Sequence, residues 1–227
     1  MKPELAGRTI IVTGAAGGIG RATAAVLATA GANVVVSDRA VADGGAVVAD
    51  IRGRGGEATW IPADLADEAA IEALVARSVE RYGRLDGAFN NAGVEQVAKP
   101  LHELSTAEWD RAMRIDLTAV FWCLKYQIRA MLETGGGAIV NTASSLGQVA
   151  IRNASEYVAA KHGVIGLTRA AAADYGARGI RVNAVLPGVT LTPMIARLVE
   201  DANFAAFFER LKERHPIGRF GEPHEIG

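Results

Sequence analysis

A chain of 227 residues, 50% hydrophobic and 22% charged, is long enough for one domain with an ample core. Its formal net charge of −1 excludes the basic field that binding to nucleic acid or to an anionic membrane would need. A single cysteine, Cys123, excludes an internal disulfide framework and fits a reducing cytoplasm. It lies in the apolar run Ala119-Val120-Phe121-Trp122-Cys123-Leu124 and reads as a small buried hydrophobe. The longest uncharged run, 134–151, is broken by Gly, Asn, Ser and Gln, so no membrane span is expected. Lys2, Glu4 and Arg8 leave no apolar stretch for a signal peptide. The expectations are a cytoplasmic protein with a small-molecule substrate, no nucleic acid, no membrane and no metal.

Short apolar, β-branched runs alternate with longer Ala-rich segments. Strands are predicted at 9–13, 33–37, 58–61, 86–89, 138–142 and 181–186. Helices are predicted at 18–30, 43–52, 68–82, 106–133 and 155–177. This alternation implies an α/β fold, a three-layer doubly wound parallel sheet with helices on both faces. Asp67 precedes an acidic first turn, Ser105-Thr106-Ala107-Glu108 can form a capping box, and Gly31, Gly83 and Gly179 stand just past helix ends. No linker or repeat divides the chain, so 1–227 reads as a single domain. Residues 189–221 break the rhythm. There Phe204, Phe207, Phe208 and Leu211 form a helical stripe, read either as an ordinary packed helix or as a lid over a substrate cleft.

Thr13-Gly14-Ala15-Ala16-Gly17-Gly18-Ile19-Gly20 follows the first strand and opens the first helix. Glycines there permit a tight turn, let backbone approach a pyrophosphate and let the helix pack on the sheet, while the helix N-terminus meets the phosphates. Gly14, Gly18 and Gly20 fit one spacing and Gly14, Gly17 and Gly20 another, so the glycines alone leave two families open. Asp38 ends the second strand, 24 residues after Gly14. A carboxylate there can accept from an adenosine ribose and would repel a 2′-phosphate, which favours NAD over NADP. Arg39 beside it argues the other way. Tyr157 and Lys161 lie one helical turn apart, and an ammonium held beside a phenol favours the phenolate.

Taken together, these residues resemble the compact branch of the short-chain dehydrogenase/reductase family. The likeness runs from Thr13–Gly20 through Asp64, Asn90-Asn91-Ala92-Gly93, Ser144, Tyr157 and Lys161 to Pro187-Gly188. Asn-Asn-Ala-Gly resolves the glycine ambiguity against the extended, epimerase-like branch. A separation of 13 residues from Tyr157 selects Ser144 over Ser145.

The resemblance implies NAD(P)-dependent alcohol–ketone interconversion. Tyr157 would be the general acid/base, Lys161 would hold the nicotinamide ribose and tune the tyrosine, and Ser144 would bind the substrate oxygen. It implies cofactor contacts at Gly14, Gly18, Ile19 and Gly20, at Asp64 and the Leu65 backbone near adenine, and at Asn91, Ala92 and Gly93. Further contacts would come from Pro187, Gly188, the Val189 amide and the Thr192 hydroxyl near the nicotinamide.

Asp116 stands where the family usually has an asparagine of a water-mediated proton relay, and near Lys161 it would compete for the ammonium. An alternative is therefore a non-catalytic NAD-binding or regulatory protein on the same scaffold. The family pattern also continues past residues 222–227 into a full helix and a last strand, so an incomplete chain is expected. Val120, Phe121, Trp122, Leu124 and Tyr126 cannot all face one sheet, which with the resemblance implies a homodimer or homotetramer. Pocket positions are expected at Val94, Glu95, Gln148, Ala150 and Met194, with Phe204, Phe207 and Phe208 over them. That mix favours a cyclic or otherwise hydrophobic secondary alcohol or ketone, with a sugar or polyol as the reading Glu95 would support.

Overall fold

The computed structural model describes residues 4–193, 195, 205–213 and 215–227. Six strands form one parallel sheet in the order β3-β2-β1-β4-β5-β6. They are β1 (Thr9–Thr13), β2 (Asn33–Ser37), β3 (Glu57–Trp60), β4 (Gly87–Asn90), β5 (Gly137–Thr142) and β6 (Ile180–Val185). The order reverses between β1 and β4, and in such sheets ligands bind outside the strand C-termini at that switch point.

Side-chain alternation sends the two sets of strand residues to opposite cores. Ile10, Val12, Val34 and Val36 pack under α1 (Gly18–Thr29) and α2 (Gly44–Gly53), with Ala24, Ala28, Val47 and Ile51. Ile11, Val35 and Ile139 face α3 (Glu68–Tyr82), α5 (Ala119–Glu133) and α6 (Ser155–Tyr175), with Leu74, Leu124, Ile128 and Val164. Each Val, Leu or Ile among them withdrawn from water contributes about 1.5–3 kcal/mol. On β6, Ile180 and Val182 are buried while Arg181 and Asn183 are exposed, and β6 pairs only with β5 among the described residues.

The helix starts are set by their caps. Asp43 accepts from the Ala46 N–H and Asp67 from the Ala69 N–H. Ser105 and Glu108 close a capping box on α4 (Thr106–Met113). Gly31, Gly83 and Gly179 all take positive φ, as their positions past helix ends predict. Strand boundaries move by no more than one residue from expectation.

Two expectations change. The predicted helix 106–133 is broken by a π-helical turn at Arg114–Thr118, so α4 and α5 are separate. The predicted helix 155–177 closes at Tyr175 into a 3₁₀ turn, Gly176–Arg178.

Candidate active site

The glycine turn and the Asn-Asn-Ala-Gly turn meet at the switch point. A Cβ on Gly14 (φ +63) would lie 2.9 Å from Ala92 Cα, and one on Gly20 would lie 2.2 Å from the Gly14 carbonyl oxygen. These two glycines are therefore required by the turn's own packing. Gly17 differs: its φ of −156° is open to any residue, and a Cβ there would meet nothing nearer than Pro193 Cγ at 4.0 Å. Neither strain nor packing accounts for it, whereas close approach of a pyrophosphate would. No side chain caps α1, and its first turn carries no acid, so its free N–H groups suit an anion. The residues present thus fit a dinucleotide. Sequence reasoning placed Gly18 and Ile19 in this site and left Gly17 out of it.

Asp38 reaches the turn, its Oδ2 accepting from the Ala16 N–H at 3.2 Å and its Oδ1 from the Arg39 N–H. Asp64 accepts from the Ala66 N–H, and the Leu65 side chain packs, partly buried, against the core. Asn91 is occupied structurally. Its side-chain amide donates to the Thr13 and Gly14 carbonyls, and its N–H donates to Thr13 Oγ1. Asn91 thus staples β4 to the phosphate turn.

Lys161 is 3% exposed and anchored on three sides. Its ammonium donates to the Thr142 carbonyl at 3.2 Å, lies 3.4 Å from Asp116 Oδ1 and stands 5.3 Å from the centre of the Tyr157 ring. The Thr142 contact ties α6 to the end of β5, two residues before Ser144. Ser144 Oγ accepts from the Leu146 N–H at 3.1 Å, which leaves the hydroxyl hydrogen free to donate. Asp116 is fully buried within the π turn, and its Oδ1 also accepts from the Val94 N–H at 3.0 Å. Burial pushes the Asp116 carboxyl above its ordinary range, against the pull of Lys161 and the Val94 amide. Gly93 makes this meeting possible: a Cβ there would lie 2.6 Å from Asp116 Oδ1.

The Val189 amide was expected beside a nicotinamide; here it donates to His215 Nε2 at 3.2 Å. Thr192 rests its methyl against Gly18, so its segment reaches the phosphate turn. Pro187 accepts from the Ser145 N–H, and Gly188 faces the His215 ring. Of the expected pocket residues, Gln148 and Ala150 are exposed, while Met194, Phe204 and the side chain of Phe207 lie outside the described residues. Phe208 is buried edge-on against Phe220, centroids 5.9 Å apart. Burial pushes the Cys123 thiol up to about 12, as an inert core residue requires.

A buried amide network behind the site gave no sequence signal. Asn90 bonds to Gln127 and Asn141, and Asn141 donates to Thr168, joining β4, α5, β5 and α6.

Comparison with known proteins shows the family to which the chain belongs. The sequence model of the short chain dehydrogenase family matches residues 8–203. A 2,5-dichloro-2,5-cyclohexadiene-1,4-diol dehydrogenase of Sphingobium indicum is 51% identical over 223 residues, 98% of this chain and 87% of that protein. The crystal structure of levodione reductase superposes with a TM-score of 0.93 at 40% identity, covering 98% of this chain and 88% of that one. An actinorhodin polyketide ketoreductase variant solved with NADPH gives 0.90 at 38% identity, covering 96% and 87%. The chain belongs to the short-chain dehydrogenase/reductase family of oxidoreductases. Among the described residues no helix is long and apolar enough to cross a membrane, and no group of side chains could hold a metal ion.

Proposed function

We propose that this protein is an NAD-dependent dehydrogenase/reductase interconverting a ring-bearing secondary alcohol and its ketone, with Tyr157 as the proton-transfer group. The observation that carries this is the placement of the Lys161 ammonium between the Tyr157 ring, Asp116 and the Thr142 carbonyl. The Tyr157 oxygen would take the hydroxyl proton in oxidation and return it in reduction, with the positive charge of Lys161 held beside the ring. The Ser144 hydroxyl donates to the substrate oxygen where negative charge develops, a contact whose loss commonly costs ~10²–10³ in rate. NAD, when bound, supplies the nicotinamide that accepts the hydrogen and electron pair leaving the carbinol carbon. The turn around Gly17, Gly18, Ile19 and Gly20 would hold its pyrophosphate, Asp38 its adenosine ribose, Asp64 and Leu65 its adenine. Asn91 would lie near the adenosine ribose, Ala92 and Gly93 would contact the cofactor, and Lys161 and residues 187–192 would line the nicotinamide half.

The ring-bearing substrate class follows from the diol-dehydrogenase relative and from the apolar side chains expected around the cleft. NAD rather than NADP rests on Asp38; the NADPH held by a neighbour of similar fold and the adjacent Arg39 make NADP the competing choice. The described part of segment 189–221 is stitched to itself, Leu191 N–H to the Gly221 carbonyl and Gly221 N–H to the Val189 carbonyl. That supports a covering segment within a single domain. A cytoplasmic setting is part of the proposal and rests on the single buried thiol.

The test is NADH formation over a panel of cyclic secondary alcohols, with NADP in parallel, beside Tyr157→Phe. Turnover should fall by about 10²–10⁴ in that variant while NADH still binds. Equal turnover in Tyr157→Phe would refute the proton-transfer role. The second reading, a non-catalytic NAD-binding protein, is favoured by Asp116 holding the lysine; it predicts NADH binding with no turnover on any alcohol.

A further inference from the structure

Residues 91–100 have no secondary structure of their own, yet the stretch after Gly93 is fixed at three points. The Val94 N–H donates to Asp116, the Val97 N–H donates to Glu156 Oε1 at 2.7 Å, and Lys99 pairs with Glu108 at 2.5 Å. Between the last two anchors Ala98 takes a φ of 64°, a left-handed conformation that is costly for a residue with a Cβ. Such a conformation persists only where the surroundings over-determine it.

Glu156 is the unexpected anchor. It opens the first turn of α6 and directly precedes Tyr157, where an acid would help the helix equally well from the surface. Instead it is 0% exposed, and Oε2 has no hydrogen-bond partner among the described residues. Burying a carboxylate with half its acceptors unused is unfavourable, so helix formation does not account for it. Its one described bond is to the Val97 amide.

We propose that Glu156 is a positioning residue: through the Val97 amide it fixes residues 94–97 as the wall of the substrate pocket, at a set distance from the tyrosine beside it. The wall then limits how far a substrate ring can extend from the Tyr157 oxygen. Asp116 sets one end of this wall through Val94, and Glu156 sets the other through Val97. The inference rests on the reading of Tyr157 as the proton-transfer group.

Glu156→Gln keeps an oxygen that can accept from Val97, and Glu156→Ala removes it. Both are compared with the wild type by steady-state oxidation of cyclohexanol, by NADH affinity from fluorescence, and by amide hydrogen exchange over residues 94–99. In Glu156→Ala the KM for cyclohexanol should rise about tenfold with kcat changed less than about threefold. NADH affinity should stay at the wild-type value, and exchange over 94–99 should quicken. Glu156→Gln should stay near the wild type in all three. A wild-type KM and wild-type exchange in Glu156→Ala would overturn the proposal, as would equal losses in KM, kcat and NADH affinity in both variants. If Glu156→Ala does not fold, Glu156→Asp, one methylene shorter, is read by the same criteria. A wild type that oxidises no alcohol defeats the proposed function and leaves the exchange measurement to decide the role of Glu156.

Discussion

The carboxylate of Asp116 and the ammonium of Lys161 form a buried ion pair, 3.4 Å apart, beneath a glycine at position 93 that alone leaves room for it. A negative charge held beside Lys161 offsets part of that lysine's positive field over the Tyr157 ring.

Asp116→Asn removes that negative charge and should therefore alter the pH dependence of alcohol oxidation. Relative to the wild type, its oxidation rate at pH 6 should gain on its rate at pH 9. Stability provides a second readout. Burial raises the folded pKa of Asp116 above 3.8, so the native state holds that proton more tightly than the unfolded chain. The associated stability is fully present below the unfolded value and is lost as pH rises through the folded one. The asparagine variant lacks this loss, so its Tm relative to the wild type should improve from pH 4 to pH 7.

Asp86 has the opposite sign. Burial pushes its carboxyl up, but Arg84, the Thr9 N–H and Arg8 outweigh burial and hold it below 3.8. Its contribution is present above the unfolded pKa and is lost as pH falls through the folded one. Asp86→Asn should cost about 1.5–3 kcal/mol near neutral pH, and the gap should close in acid, as measured by denaturant unfolding at pH 7 and pH 3.

The glycines of the first turn should separate into two kinds. Gly20→Ala places a Cβ against the Gly14 carbonyl and should lower Tm by several degrees. Gly17→Ala should change stability by less than about 1 kcal/mol, yet weaken NADH binding at least about tenfold. Calorimetry beside fluorescence titration checks both.

Phe121 is 46% exposed beside an apolar groove formed with Leu117, Thr118, Gly163 and Leu167, across the π turn, α5 and α6. A second copy of this chain is the expected occupant, since Val120, Trp122 and Leu124 of the same helix are already buried. Light scattering at micromolar concentration should show a dimer or tetramer for the wild type and a smaller species for Phe121→Glu. A monomeric wild type would refute this.

Much of the fold was legible because strand periodicity, caps and terminal glycines are local signals. The groups Tyr157–Lys161 and Asn90–Gly93 were legible because their spacing is fixed in sequence. Glu156 was not, since a glutamate in a first helical turn reads as a solvated dipole partner and only tertiary packing buries it. Gln127, Asn141 and Thr168 resemble surface residues one by one and make sense only as a network. His215 stands 26 residues from the amide it meets. The π turn escaped because Arg114–Thr118 contains no glycine or proline to punctuate the helix.

That turn has a consequence in angular terms. One residue added to a helical turn advances everything beyond it by about 100°. The side chains of α4 and α5 are thus out of phase by more than a quarter revolution. The inward aim of Asp116 and the outward aim of Phe121 share this origin, so the electrostatics of the site and the face offered to a second copy are set by one local rotation. Deleting a single residue between Arg114 and Thr118 would rotate both together, and neither could be retuned by insertion or deletion without disturbing the other.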